Sequence, residues 1–209
     1  MVVSMSEKCE IVYVLANEGM PNLIKIGKTK RKDLQARMNE LYTTGVPFPF
    51  ECLWAGEVED CSKVEQILHN AFRDHRVNPK REFFDIAPDQ VIPLLQVISV
   101  KEITSVVSCA LNKEISKEEQ DSAKKYKRPK MNFKEMGIES GSVLEFVNDT
   151  EIKVTTKDND KVLYENKEIA LTPLTKDLLA LPYNVQPSRY WLFNGKNLKD
   201  IYEDTYSNI

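Results

Sequence analysis

The chain has 209 residues, 42% of them apolar and 29% charged, and a net charge of −3. That length fits one large or two small domains, and the composition is ordinary for a globular protein. The mild acidity excludes a protein that coats DNA through bulk electrostatics, but leaves room for a local basic groove. No apolar run approaches the ~18–20 residues that cross a bilayer, so no membrane partner is expected. The stretch "MVVSMSEKCEIVYVL" lacks the basic start of a secretory leader. Cys9, Cys52, Cys61 and Cys109 form no C-x-x-C pair, which argues against zinc and for reduced thiols in the cytoplasm.

In chain order, "EIVYVLAN" (10–17) reads as a strand, "EGMP" as a turn and "NLIKIGK" as the returning strand of a hairpin. "KDLQARMNELYTT" follows as a helix with Leu34, Met38, Leu41 and Tyr42 at helical spacing. "FPFECLWAGEVE" is a third strand. "DCSKVEQILHNAFRDHR" is an amphipathic helix with Val64, Ile67, Leu68, Ala71 and Phe72 as its apolar face. "REFFDI" is a short strand. "PDQVIPLLQVISV" is a helix with Pro88 in its first turn, which tolerates Pro93 only if that residue is also early. The order ββαβαβα implies a small mixed or antiparallel sheet flanked by helices, an α+β class. Residues 111–131, nearly devoid of apolar side chains, read as a charged linker or a solvated helix. Beyond it, "SVLEFV", "EIKVTT" and "KVLYENKEIAL" alternate like strands. "TPLTKDLLAL" is a helix with Thr172 as cap and Pro173 at its first position. "SRYWLFNGKNLKDIYEDTY" supplies a strand, an Asn-Gly turn and a helix or coil. The expected domains are therefore residues 1–110 and 132–209, both small and α+β.

The second strand ends at Gly27, and the basic residues Lys25, Lys28, Lys30, Arg31 and Lys32 surround it. This is either a solvated turn or a phosphate site. Glu65, His69 and Arg73 recur at i, i+4 and i+8, with Arg76 continuing the stripe. A carboxylate, an imidazole and two guanidiniums suit metal-assisted chemistry on a phosphate. A structural reading competes, because "SKVE" is also a capping-box sequence that would make Glu65 a helix-start residue. Arg37 either snorkels beside its apolar stripe or points into a site. Tyr13 on its own reads as a core or half-buried tyrosine. Lys25 alternates with Ile24 and Ile26, so it is expected to face away from the core.

The ordered set is more specific than its members. "IVYVL", a turn, "IKIGKT", a helix carrying Arg37 and a helix carrying Glu65 resemble the GIY-YIG nuclease superfamily. A compact phage and bacterial branch is the closer likeness, through "YVLANEGMPNLIKIGKT", "VE..LH..F" and "RVNPKREFF". The resemblance spans roughly residues 10–100. It implies a metal-dependent DNA endonuclease acting in restriction or phage defence. Glu65 would hold Mg²⁺ or Mn²⁺. Tyr13, with Lys25 or His69, would orient or deprotonate water, and Arg37 would stabilise transition-state charge. Gly27 would let the backbone approach a neighbour closely. Lys28, Lys30, Arg31, Arg73, Arg76, Asn78, Lys80 and Arg81 would support or position the substrate phosphates. Two departures stand out: Ile11 replaces the first glycine and Lys25 the second tyrosine. Lys25 could stay charged and bind phosphate, or lose its proton if buried.

Residues 132–206 resemble the RAMA-type module (restriction enzyme adenine methylase associated), which implies DNA recognition, including of modified bases. Tyr190, Trp191 and Phe193 read either as an aromatic pocket for an extruded base or as core. The substrate expected is double-stranded DNA, and a homodimer is one route to cutting both strands. The competing expectation is a non-catalytic DNA-binding regulator that retains the nuclease fold.

Overall fold

The computed structural model describes residues 10–20, 22–31, 34–41, 48–112 and 129–206. Most of the charged joint expected at 111–131, together with Cys9, Lys32 and Tyr42, lies outside the described residues. The chain divides into two compact units, residues 1–127 and 128–209. Both are α+β with antiparallel sheets.

The first unit is built on a five-stranded sheet in the order β4-β2-β1-β3-β5. Its strands are β1 (Ile11–Asn17), β2 (Ile24–Thr29), β3 (Phe50–Glu57), β4 (Phe83–Phe84) and β5 (Lys101–Glu102). The β1–β2 hairpin closes through an Asx turn, in which Gly19 N donates to Asn17 Oδ1 at 2.9 Å. Asn17 also donates from Nδ2 to Phe48 O at 2.7 Å, tying the hairpin to the entry of β3. The register sets Tyr13 opposite Gly27 on one side and Ala55 on the other. Period-2 alternation sends Ile11, Tyr13 and Leu15 to one face. There they pack with Met38 of helix α1 (Leu34–Leu41) and with Val107, Ala110 and Leu111 of α4 (Thr104–Asn112). The opposite face meets α2 (Cys61–Ala71) and α3 (Pro88–Ile98).

β5 and α4 fall in a stretch that sequence reading left unassigned, although α4 closes the face holding Tyr13. α2 begins one residue before the anticipated cap. Its N-cap is Asp60, whose carboxylate accepts from Ser62 N and Lys63 N at 3.0 Å each. With the cap at Asp60 rather than Ser62, Glu65 lies beyond the third helical position that a capping box uses. Glu65 lies inside the helix on its buried stripe with Cys61, Val64 and Leu68, whereas Ile67 and Ala71 are exposed. Pro88 starts α3 as expected, but Pro93 sits in the helix interior, where it removes one rung of the hydrogen-bond ladder.

The second unit carries a six-stranded sheet in the order β11-β10-β6-β7-β8-β9. The strands are β6 (Val143–Phe146), β7 (Asp149–Thr156), β8 (Lys161–Tyr164), β9 (Lys167–Ala170), β10 (Trp191–Phe193) and β11 (Lys196–Asn197). "KVLYENKEIAL" is not one strand. It folds back at Glu165 and Asn166, whose φ values of 49° and 63° make a hairpin turn. Asn194 and Gly195 turn the β10–β11 hairpin in the same left-handed region. Helix α5 (Leu171–Leu178) is N-capped by Ala170, so Thr172 is not its cap and Pro173 is not its first residue. Helix α6 (Leu198–Tyr206) ends the described chain, and Tyr202 Oη donates to Pro129 O at 2.7 Å. Tyr190 and Trp191 belong to the core. Trp191 is fully buried against Phe146 and donates from Nε1 to Thr175 Oγ1 at 2.8 Å. Tyr190, which ends a 3-10 turn (Pro187–Tyr190), and Trp191, which opens β10, are both buried and line no open pocket, while Phe193 is half-buried.

Candidate active site

Gly27 explains the break in β2. A Cβ built there would lie 2.5 Å from Tyr13 Cε2 and 2.9 Å from its hydroxyl. The tyrosine ring occupies the space that any side chain at position 27 would need. Tyr13 is completely buried rather than half-buried. Arg37, reaching over from α1, donates from Nη2 to Tyr13 Oη at 3.3 Å and from Nη1 to Glu40 at 3.2 Å. Glu40 also takes Arg31. Burial pushes the Tyr13 phenol up. The Arg37 charge and hydrogen bond oppose this incompletely, and Glu82 and Glu65 push it further up. Tyr13 is thus a neutral hydroxyl at physiological pH, suited to orienting a group rather than to acting as a phenolate base.

Lys25 does not face solvent. β2 lies inside the sheet with both faces covered, and the Lys25 side chain is only 10% exposed. Its ammonium pairs with Glu82, and the Phe83 ring centroid lies 5.5 Å from Nζ. Glu82 went unnoticed in the sequence because its partner is 57 residues away. Burial raises its carboxyl, but Lys25 first, then the charges of His69 and Arg37, bring it below the usual range.

On the α2 side, Glu65 is buried and its Oε2 lies 2.8 Å from Lys28 Nζ. The hydrogen bond to Glu65 raises the Lys28 ammonium above its ordinary value, against the effect of burial. His69 places Nε2 3.0 Å from Ile26 O and tilts its ring over Phe84 with centroids 5.0 Å apart. A carbonyl only accepts, so Nε2 carries the proton and Nδ1 is the nitrogen left for chemistry. Among the described residues no group of three or more His, Cys, Asp or Glu side chains gathers as a metal cage. A single carboxylate supplemented by water and phosphate oxygens is nevertheless a usual way to hold Mg²⁺, and Glu65 fits it.

The structure brings the predicted residues, with Glu82, together in two groups on β2: Tyr13, Gly27, Arg37, Lys25 and Glu82 on one side, and Lys28, Glu65 and His69 on the side of α2. Other predicted residues are engaged elsewhere. Lys30 reaches Glu10 at 3.3 Å, and the other oxygen of Glu10 accepts from Cys61 N at 2.8 Å at the start of α2. The stripe expected to run on to Arg73 stops, because α2 ends at Ala71 and a 3-10 turn (Arg73–His75) follows. Arg73 is exposed beside Asp74. Arg76 donates to Arg81 O at 2.7 Å and stacks over Phe84. Asn78 folds the loop before β4 by accepting from Lys80 N at 2.8 Å, and Lys80 and Arg81 stay exposed.

Residues 10–99 match the family profile of the T5orf172 domain, a GIY-YIG-related phage domain. The match ends within the first unit, and nothing identifies the second unit as RAMA-like. No curated protein and no solved structure matches the chain.

Proposed function

We propose that the first unit is a metal-dependent endonuclease centre acting on DNA phosphodiesters. The observation that carries this reading is the Arg37–Tyr13 hydrogen bond packed on Gly27. It sets a guanidinium against a phenol on the central strand of the sheet, and the Glu65 carboxylate of α2 is close enough for its charge to act on that phenol. Arg37 offers N–H donors to the phosphate oxygens as negative charge builds in the transition state. Tyr13, held neutral, orients the attacking water or a phosphate oxygen. Glu65 is the residue that would hold Mg²⁺ or Mn²⁺, which when bound supplies Lewis-acid polarisation of the phosphate. Lys28 neutralises Glu65 in the free protein and is placed to turn towards a phosphate.

Nicking of supercoiled plasmid, with Mg²⁺ or Mn²⁺ and with chelator, tests the reading. Glu65→Gln should keep the fold and duplex affinity but lose metal-dependent nicking, because a hard cation prefers carboxylate to amide oxygen. It should also lose the metal-induced rise in melting temperature. A fully active Glu65→Gln protein would falsify this centre. The second reading, a non-catalytic DNA-binding regulator, is favoured by Lys25 in place of the second tyrosine and by the Lys28–Glu65 pair, which silences a carboxylate. It predicts duplex binding without nicking under any metal.

For the second unit we propose recognition of DNA in a restriction or defence setting, supported by the sequence resemblance alone. Removing residues 128–209 should then abolish any preference between methylated and unmethylated duplexes. Unchanged preference would point to a protein-interaction module.

A further inference from the structure

Lys25 poses a physical problem of its own. A nearly buried side-chain ammonium needs an opposite charge beside it. Glu82 is that counter-charge, and its place is fixed by the backbone as well as by the ion pair. Lys25 pairs with Phe83 across the β2–β4 register, and Ile26 N donates to Glu82 O at 3.2 Å. Phe83 packs beside the ammonium. The side chain of Glu82 is 37% exposed against 10% for Lys25, so the pair opens outward on the acid's side. The other titratable groups around the pair are Tyr13 from β1, Arg37 from α1, and His69 and Glu65 from α2 with Lys28 beside them.

We infer that Glu82 is a positioning residue: it holds the Lys25 ammonium in place on β2, as a fixed cation for a phosphate oxygen of the nucleic acid. The phosphate half of this claim rests on the nuclease reading above, while the positioning half does not. The alternative, that Glu82 itself takes the water proton, is opposed by its environment. A carboxyl held below its usual range by neighbouring cations is a weak proton acceptor.

The test uses the full chain, wild type beside Glu82→Gln and Glu82→Asp, with matched melting curves. Acylation of lysines is followed by mass spectrometry, with exposed Lys80 as internal standard. Nicking turnover and duplex affinity are measured separately. Glu82→Gln should modify Lys25 several-fold faster with Lys80 unchanged. Its duplex affinity should be equal or tighter, because a negative charge has left the neighbourhood of the phosphates, while turnover falls. Glu82→Asp should restore part of the turnover and part of the protection of Lys25. That split between affinity and turnover is not what a merely structural acid gives. Equal Lys25 reactivity in wild type and Glu82→Gln, or wild-type turnover in that variant, overturns the inference. If wild-type protein nicks nothing with either metal, the nuclease reading falls and the acylation ratio alone still decides the positioning claim. If Glu82→Gln does not fold, Glu82→Asp is read in its place, with intermediate Lys25 reactivity expected and wild-type reactivity overturning.

Discussion

Among the described residues, the first unit buries Glu10, Lys25 and Glu65, whereas the buried polar side chains of the second are the hydroxyls of Thr156, Thr175 and Ser188. The second unit keeps its charge pairs outside, in Lys153–Glu145, Lys157–Glu168, Lys161–Glu168 and Lys196–Asp204. Hydroxyls are cheap to bury because one hydrogen bond satisfies them. Charges are not, and an ion pair inside a protein often contributes less than an apolar substitute would. A fold that needed only stability would arrange both units like the second. Of the charges kept inside the first unit, Glu10 holds the start of α2, while Lys25 and Glu65 belong to the candidate site, where chemistry is expected.

The largest effect should come from Arg37→Ala. Losing a donor that acts in the transition state costs about 10²–10³ in rate, or about 2.7–4 kcal/mol. Folding should be near normal, and duplex affinity should fall only modestly. Nicking kinetics at saturating DNA measure it. A variant that cuts at the wild-type rate would reduce Arg37 to a strut between α1 and Tyr13, and would remove the functional meaning from the contrast between the units.

Two substitutions of comparable cost separate the units by kind. Gly27→Ala places a Cβ 2.5 Å from a tyrosine ring that is completely buried and cannot yield. Overpacking of this sort costs about 1–3 kcal/mol. It should also push the Tyr13 hydroxyl away from Arg37, so stability and nicking fall together. Thr175→Val strips the acceptor from the buried Trp191 indole N–H. An unsatisfied buried donor costs about 1–3 kcal/mol, read as a lower melting temperature of the second unit with nicking by the first unchanged. If Gly27→Ala melts like wild type, the close packing of Tyr13 on the strand is wrong.

The strands β1 to β3 were legible as short apolar runs bounded by turns, and the helix α2 from its one apolar stripe. Tyr13, Arg37 and Glu65 could be singled out by their order along the chain. What stayed hidden was set by tertiary pairing. Lys25 alternates like a solvent-facing residue, yet its strand lies between two others and under helices, and its partner Glu82 is far away in sequence. α4 follows a two-residue strand and carries no charged start to announce it. The β8–β9 turn was invisible because Glu165 has no side-chain preference for the left-handed region that it adopts. Trp191 and Tyr190 were ambiguous for a different reason. An aromatic strand residue looks the same in sequence whether it lines a pocket or fills a core.

The smallest predicted effect is a difference in how acid unfolds the two units. In the first, the backbone N–H of Cys61 and then its thiol hold the Glu10 carboxyl below its ordinary 4.5. Glu82 is lowered as well, since Lys25 more than cancels the effect of burial. A carboxyl depressed in the folded state adds stability that is fully present above its unfolded value and is lost as the pH falls through its folded value. The first unit should therefore weaken as the pH drops below about 4.5. Glu168 in the second unit is also lowered, by Lys161 and Lys157, but all three side chains are at the surface. Exposed pairs contribute little and are screened by salt. The chain has two tryptophans, Trp54 in the first unit and Trp191 in the second, so Trp54→Phe and Trp191→Phe each leave one fluorescent reporter. Acid titrations at low and high salt should show a first-unit transition that hardly moves and a second-unit transition whose acid limb flattens as salt rises. A first unit just as salt-sensitive as the second would mean that its acids behave as surface charges, and the case for buried charge preorganised around Lys25 would go with it.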